Sequence, residues 1–104
     1  DNGFINTSAV QYKGNKGQLF ENAVLIHLAA KWKEVHYWST LKTEVDFIVG
    51  QTAINVTATD IIPEREQRGL SEFCQKHRNF TSLLITESST GKNQVPLKEF
   101  LLQE

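Results

Sequence analysis

The sequence has 104 residues, of which 39% are hydrophobic and 22% charged, and its formal net charge is −1. This length predicts one domain with a single hydrophobic core, and the composition is ordinary for a soluble globular protein. The near-zero charge argues against a broadly basic surface for nucleic acid, although a local basic patch is still compatible with it.

The composition also limits where the chain works. No apolar run approaches the roughly 20 residues of a membrane span, so we predict no membrane partner. The one cysteine, Cys74, cannot form an internal disulfide, which suits a reducing compartment and predicts a cytoplasmic location. Because the first residue is Asp1 rather than Met, we expect a fragment from the C-terminal part of a longer protein. Within one domain of residues 1–104, we expect a lead-in over 1–14 and the core over 15–102.

The first predicted element is a helix that Asn15 caps and that runs to about Trp32, with Gln18 placed for a capping box. Its apolar residues form two stripes at helical spacing, Leu19-Ala23-Ile26-Ala30 and Val24-Leu25-Leu28-Trp32. Two stripes predict a helix that is covered on most sides. Glu21 shares a face with the second stripe, which predicts a partly buried acid. Its carboxylate is either satisfied by a lysine or a backbone amide, or aimed at a functional site.

Three strands follow, over 35–39, 44–49 and 52–59, with Gly50 in the tight turn between the last two. Alternation places Val45, Phe47 and Val49 on the face opposite Asp46. In the third strand, Asn55 and Thr57 share a face. A carboxylate, an amide and a hydroxyl group could therefore converge across the strand pair. Because an isolated buried charge is very costly, Asp46 needs a partner, a metal or water.

The second half of the chain predicts a crossover to a parallel strand. Pro63 begins a helix whose buried stripe is Leu70, Phe73, Cys74 and His77, and which Asn79 ends. The apolar strand over 80–86 is then expected to be buried on both faces, as parallel strands are. A polar turn, a short extended piece at Val95 and a terminal helical turn complete the chain.

Four segments of the chain resemble a known family. They are Lys16-Gly17-Gln18-Leu19-Phe20-Glu21-Asn22, Tyr37-Trp38-Ser39, Glu44-Val45-Asp46-Phe47, and Val95-Pro96-Leu97 with Phe100-Leu101. In this order and at these spacings, they resemble the DUF4143 C-terminal domain of AAA-type ATPases, from about Tyr12 to Leu102. The resemblance implies an α/β fold like that of PD-(D/E)XK restriction endonucleases. Its core is a helix, a three-stranded antiparallel meander, a second helix and a parallel strand, in a mixed central sheet with helices on both faces.

The resemblance also implies a magnesium-dependent nuclease site, which this chain matches only in part. Asp46 matches the first carboxylate and Glu21 the helix acid, while Asn55 stands at the position of the second acid. These three would be the metal ligands. Thr57 stands where the catalytic lysine belongs. Asn55 would give the metal shell a neutral oxygen in place of a charged one, so we expect weak magnesium binding. Because a lost charge stabiliser costs about a hundredfold or more in rate, we also expect a degenerate site.

A cation could reach this site from elsewhere in the chain. Lys42 precedes Asp46 on the same hairpin arm, and Arg65 and Arg68 lie early in the second helix. All three are equally compatible with solvated surface charge. The chain has no glycine-rich phosphate loop, so nucleotide hydrolysis would belong to an upstream ATPase domain, the first expected partner.

These residues support three hypotheses. The first is a non-catalytic nuclease-like module of an ATPase that recognises nucleic acid or protein. The second is a working metal-dependent DNA nuclease with a relocated cation. The third sets the resemblance aside and leaves a small α/β interaction domain whose acids are only hydrogen bonded.

Overall fold

A five-stranded mixed sheet forms the centre of the structure, a computed structural model that describes residues 16–103. The elements are α1 (Lys16–Lys31), β1 (His36–Ser39), β2 (Glu44–Val49), β3 (Thr52–Val56), α2 (Glu64–Lys76), β4 (Thr81–Thr86), β5 (Gln94–Pro96) and α3 (Leu97–Leu102). The predicted cap at Asn15 and the lead-in over 1–14 lie outside the described residues. None of the three helices has the length and apolar composition that crossing a membrane requires, within the part of the chain that is described.

The strands lie in the order β1-β2-β3-β4-β5. The first three pair antiparallel, whereas β4 pairs parallel with both β3 and β5. The chain passes from β3 through α2 to β4, so the predicted parallel crossover is confirmed. The predicted α/β class with a mixed sheet is also confirmed. The short extended piece predicted at Val95 is a fifth strand, β5, and the predicted terminal helical turn is a third helix, α3.

Each face of the sheet carries its own hydrophobic core. The core under α1 and α3 contains Val24, Leu25, Leu28, Phe47, Val49, Ile54, Val56, Ile85 and Phe100. The core under α2 contains Val45, Ala53, Leu70, Phe73 and Leu84. Because helices cover both faces, the central strands β3 and β4 carry apolar side chains at successive positions.

The predicted alternation along β2 is wrong in its first half. Val45 packs on the α2 side, whereas Phe47 and Val49 pack on the α1 side. The cause is a β-bulge: His36 pairs with Ile48 but Trp38 pairs with Val45, so two β2 residues oppose one β1 residue. A bulge adds one residue to a strand and so reverses which face the following residues occupy.

The sequence also predicts that both apolar stripes of α1 are covered, and this prediction is wrong for one of them. Val24, Leu25 and Leu28 are buried as expected, but Leu19 and Ile26 are 48% and 63% exposed. Within residues 16–103, the stripe Leu19-Ala23-Ile26-Ala30 is therefore exposed at three of its four positions.

The tight turn after β2 is built as expected. Gly50 has a positive φ of 54°, and a Cβ there would lie 2.9 Å from the indole ring of Trp32. Trp32 itself lies just after α1 and is partly exposed rather than buried in the second stripe.

Several predicted boundaries shift by a few residues. β3 ends at Val56 rather than at residue 59, and α2 begins after Pro63 and ends at Lys76. His77 is exposed but stacks on the buried ring of Phe73, with 4.3 Å between ring centroids. In the predicted buried stripe of this helix, Leu70 and Phe73 are therefore buried, whereas Cys74 is only partly buried and His77 is exposed.

Gly69 lets α2 lie directly on β2. A Cβ at this position would come within 2.2 Å of the backbone oxygen of Glu44. The contact is with backbone, which cannot move aside as a flexible side chain would, so α2 can approach Glu44 this closely only with glycine at position 69.

We predict that Gly69→Ala destabilises the domain, although alanine is the better helix former by about 1 kcal/mol. The helix must move away from β2, and the repacking should cost roughly 1–3 kcal/mol. Urea unfolding measures this difference. Ser71→Ala, at an exposed position of the same helix, is the control and should change little. A Gly69→Ala variant as stable as the control would contradict the close approach.

Candidate functional site

The structure brings Glu21 and Asp46 together at one cavity of about 350 Å³. Its lining residues are Glu21 from α1, Tyr37 and Ser39 from β1, and Glu44, Val45, Asp46 and Phe47 from β2. The bulge in β2 places Asp46 here, because it lets Asp46 join the cavity beside Phe47 while Val45 packs toward α2. Neither Asn55 nor Thr57 lines this cavity.

Where β2 and β3 separate, hydrogen bonds from side chains replace the backbone hydrogen bonds between the two strands. The regular pairing ends at Phe47 and Ile54. Beyond it, the backbone N–H of Asp46 donates to Oδ1 of Asn55 at 2.7 Å. In return, the backbone N–H of Val56 donates to Oδ2 of Asp46 at 2.9 Å. The two side chains thus satisfy backbone groups that buried strands must pair.

Asn55 also ties α2 to the sheet. Its Nδ2 donates to the backbone oxygen of Glu44 at 3.1 Å and to that of Glu66 at 2.9 Å. The side chain has 0% exposure, and its amide makes three hydrogen bonds to backbone. Asn55 therefore acts as a buried clamp between β2, β3 and α2.

Burial raises the pKa of Asp46 to about 8. Loss of solvation is the main cause, and the nearby carboxylates of Glu21, Glu66 and Glu44 add to it, while the hydrogen bond from Val56 opposes it. Burial also raises the pKa of Glu21 and of Glu66. Asp46 is therefore largely protonated at neutral pH.

Thr57 provides no charge at the position where the resembled nucleases have lysine. It is buried, and its backbone N–H donates to the backbone oxygen of Ile85 at 2.8 Å, which extends the pairing of β3 with β4. Thr57 therefore pairs with β4 just after the end of β3 and does not line the carboxylate cavity.

The three candidate cations divide into two groups. Lys42 and Arg65 line a smaller cavity of about 120 Å³, together with Glu44 and Glu66. Glu44 lines both cavities, so this cationic side adjoins the carboxylate side. Arg68 instead forms an exposed ion pair with Glu64 at 2.9 Å.

Within residues 16–103, no group of three or more His, Cys, Asp or Glu side chains is arranged to hold a metal ion. Two of the three predicted ligands, Glu21 and Asp46, line the larger cavity, whereas the third, Asn55, lies in the buried clamp. Magnesium binding by these residues stays a prediction.

Sequence reasoning did not include Glu66 or Glu44 among the candidate site residues. Glu66 contributes its backbone oxygen to the clamp and its carboxylate to the electrostatics of Asp46. Glu66 lies in the first turn of α2, where an acid is favoured by the helix dipole alone. No pattern in the sequence marks it, because the contact depends on how closely α2 approaches β2.

Comparison with known proteins identifies one match. The family model described as a domain of unknown function, DUF4143, matches residues 16–101. No curated protein and no solved structure matches the chain significantly.

We predict that the stability of the domain falls as the pH rises from about 4 to about 8. The unfolded chain releases the proton of Asp46 near its ordinary pKa, whereas the folded protein holds it until about pH 8. Folding therefore loses up to about 1.4 kcal/mol per pH unit in this window. Asp46→Asn keeps an acceptor for the N–H of Val56, so it should remove most of this slope and be the more stable protein at pH 8.

Asp60→Asn provides a control of opposite sign. The hydroxyl and backbone N–H of Ser88 and the N–H of Ser89 donate to Asp60 and lower its pKa. Its carboxylate therefore stabilises the fold above its ordinary pKa, and this effect is lost in acid. Chemical unfolding across pH 2–9 measures both variants, with the Asp60 effect expected below about pH 4. An Asp46→Asn protein that keeps the wild-type slope between pH 4 and 8 would contradict the assignment.

We also predict that Asn55→Asp destabilises the domain by about 3 kcal/mol or more. The new carboxylate would face the backbone oxygens of Glu44 and Glu66 with no hydrogen to donate. Urea unfolding with and without MgCl₂ checks this, with Asn55→Ala as the comparison. A clamp predicts loss of stability that magnesium does not restore, whereas a metal ligand would predict a variant that magnesium stabilises.

Proposed function

We propose that this chain, which belongs to the DUF4143 family, is a non-catalytic module with a nuclease-like fold that recognises a protein partner. In this proposal it is joined to an AAA-type ATPase domain and works in the cytoplasm. The ATPase domain of the same chain is the first partner to consider.

The hydrogen bonding of Asn55 carries the proposal. In the nuclease site that the chain resembles, the residue at this position is an acid that points into the metal cleft. Here the side chain is fully buried and makes three hydrogen bonds to the backbone of β2 and α2. A residue that holds the sheet and α2 together is not free to turn toward a metal ion.

The protonation of Asp46 supports the same conclusion. A carboxyl group must lose its proton to bind a metal ion, so a pKa of about 8 lowers the apparent affinity at neutral pH. Without a cation at Thr57, the cavity also lacks a group to stabilise charge on an attacked phosphate.

The charge of the cavity favours protein over nucleic acid as the partner. Glu21 and Glu44 line it beside the largely protonated Asp46, and Glu66 acts electrostatically on Asp46 as well. A phosphate backbone gains affinity from lysine and arginine and is repelled by carboxylates.

A second candidate function is a DNA nuclease with a relocated cation. The observation that favours it is the position of Lys42 and Arg65 in the cavity that adjoins the carboxylate cavity through Glu44. In this alternative, one of these cations would take the place of the missing lysine.

Cleavage of single- and double-stranded DNA in Mg²⁺ and in Mn²⁺ tests the two functions. We expect no cleavage by the wild type above that of Asp46→Ala, because the metal shell and the cation are incomplete. We also expect no DNA binding by fluorescence anisotropy at physiological salt.

Metal-dependent cleavage that Asp46→Ala abolishes would contradict the proposal and establish the nuclease. The double variant Lys42→Ala/Arg65→Ala would then show whether the relocated cation takes part, with Arg68→Ala as the matched control. DNA binding without cleavage would keep the module non-catalytic but replace the protein partner by nucleic acid.

A further inference from the structure

Strand β1 is an open edge of the sheet. It pairs with β2 alone, so its other side has no strand partner within residues 16–103. Three of its four residues are exposed, and the other one, Trp38, is partly buried. β1 contains no proline and no lysine, two residues that protect many edge strands against further pairing. The backbone of β1 is therefore able to pair with another extended chain.

Two cavities of different charge follow one another along this edge. The carboxylate cavity is lined by Tyr37 and Ser39 of β1, and no lysine or arginine lines it. The smaller cavity, which we call the cationic cavity, is lined by residues 40–43 directly after β1 and contains Lys42 and Arg65. A chain that extends along β1 would therefore meet acids first and cations next.

The cations of the second cavity are available to a ligand. Glu44 and Glu66 also line this cavity, yet neither forms an ion pair with Lys42 or Arg65 in the described part of the chain. A carboxylate brought by a partner could therefore form charge-assisted hydrogen bonds with these two cations.

The two cavities lie toward opposite faces of the sheet. Glu21 of α1 lines the carboxylate cavity, together with Phe47, which packs in the core under α1. Arg65 of α2 lines the cationic cavity, and α2 covers the other face. Successive side chains of an extended chain point to opposite faces. One added strand can therefore fill both cavities only with side chains that are an odd number of positions apart.

We propose that β1 binds an extended segment of a protein partner by strand addition. A lysine or arginine of this segment occupies the carboxylate cavity, and a glutamate or aspartate one or three positions away occupies the cationic cavity. The inference rests on the proposed function, a protein partner, and specifies the chemistry of that partner. In strand addition, backbone hydrogen bonds supply affinity, and pockets for alternate side chains supply specificity.

The dimensions of a sheet favour a long basic side chain in the carboxylate cavity. An added strand would lie about 5 Å from β1 and about 10 Å from β2, which carries Asp46. The stem of a lysine or arginine can lie along the surface of β1 while its charged end reaches the acids beyond it.

A bound cation would also change the protonation of Asp46. Burial raises the pKa of this group to about 8, and the neighbouring carboxylates add to the shift. An ammonium or guanidinium group in the cavity favours the ionised form and lowers that pKa. Binding at neutral pH should therefore release a proton, which calorimetry in buffers of different ionisation enthalpy measures.

Fluorescence anisotropy of labelled peptides with the 104-residue chain tests the spacing. One peptide, Ser-Thr-Glu-Thr-Thr-Lys-Thr-Ser, has its charges three positions apart, and Ser-Thr-Glu-Thr-Lys-Thr-Thr-Ser has the same composition with its charges two apart. Both are also made with the two charges exchanged, because a strand can add parallel or antiparallel. In one of these orders, we expect the odd spacing to bind about fivefold or more tightly, since the even spacing fills only one cavity.

Two variants with matched controls assign the cavities. Glu21→Gln and Lys42→Gln should each weaken binding of the odd-spaced peptide by about fivefold or more. Glu99→Gln and Arg68→Gln remove the same charges at exposed positions outside both cavities and should change little. Circular dichroism checks that all four variants fold.

Methylation of the peptide backbone tests strand addition itself. Methyl groups on one alternate set of amides block the hydrogen bonds to β1, whereas methyl groups on the other set point away from it. We expect one methylated peptide to lose binding and the other to keep it. Equal effects of the two sets would contradict strand addition.

Equal binding of the odd and even spacings, or no binding of either, would overturn the proposal. So would control variants that weaken binding as much as Glu21→Gln does. DNA cleavage, measured separately, decides the proposed function. A chain that binds no peptide and cleaves no DNA would therefore reject this partner and leave the module non-catalytic.

Discussion

The exchange of hydrogen bonds between Asp46 and Asn55 is the constraint on which the rest of the site depends. Where β2 and β3 separate, each side chain takes the place of a backbone partner on the opposite strand. The amide of Asn55 then reaches the backbone of α2 at Glu66. Because Gly69 leaves no Cβ between α2 and β2, the helix can come close enough for this bond to form. The bulge, the clamp and the glycine contact therefore support one another.

The same constraint separates structure from catalysis at this site. Asp46 opens into a cavity with Glu21, whereas Asn55, the third predicted ligand, is used to hold the strands. Burial without a cation leaves Asp46 protonated near neutral pH. A proton thus does at Asp46 what a metal ion would do in an active enzyme, because it removes the charge that burial disfavours.

The sequence predicts the framework better than the site. Helical spacing located α1 and α2, and the short β2–β3 hairpin followed from alternation and Gly50. Alternation failed at Val45, because a bulge leaves no mark in the pattern of apolar residues. It also could not show that Asn55 bonds to backbone, since this depends on the separation of two strands and the approach of α2. The exposed stripe at Ile26 was expected to be buried, because periodicity shows that a face is apolar but not what covers it.

The central claim is that Asp46 is a protonated structural group rather than a metal ligand. Carbon-13 NMR titration of its carboxyl group, with and without Mg²⁺, tests this most directly. The account predicts a pKa of about 8 for Asp46 that Mg²⁺ leaves unchanged, and a pKa of Glu21 that burial raises above its ordinary value. A pKa near the ordinary value of an aspartic acid, or one that Mg²⁺ lowers, would contradict it and restore the metal site.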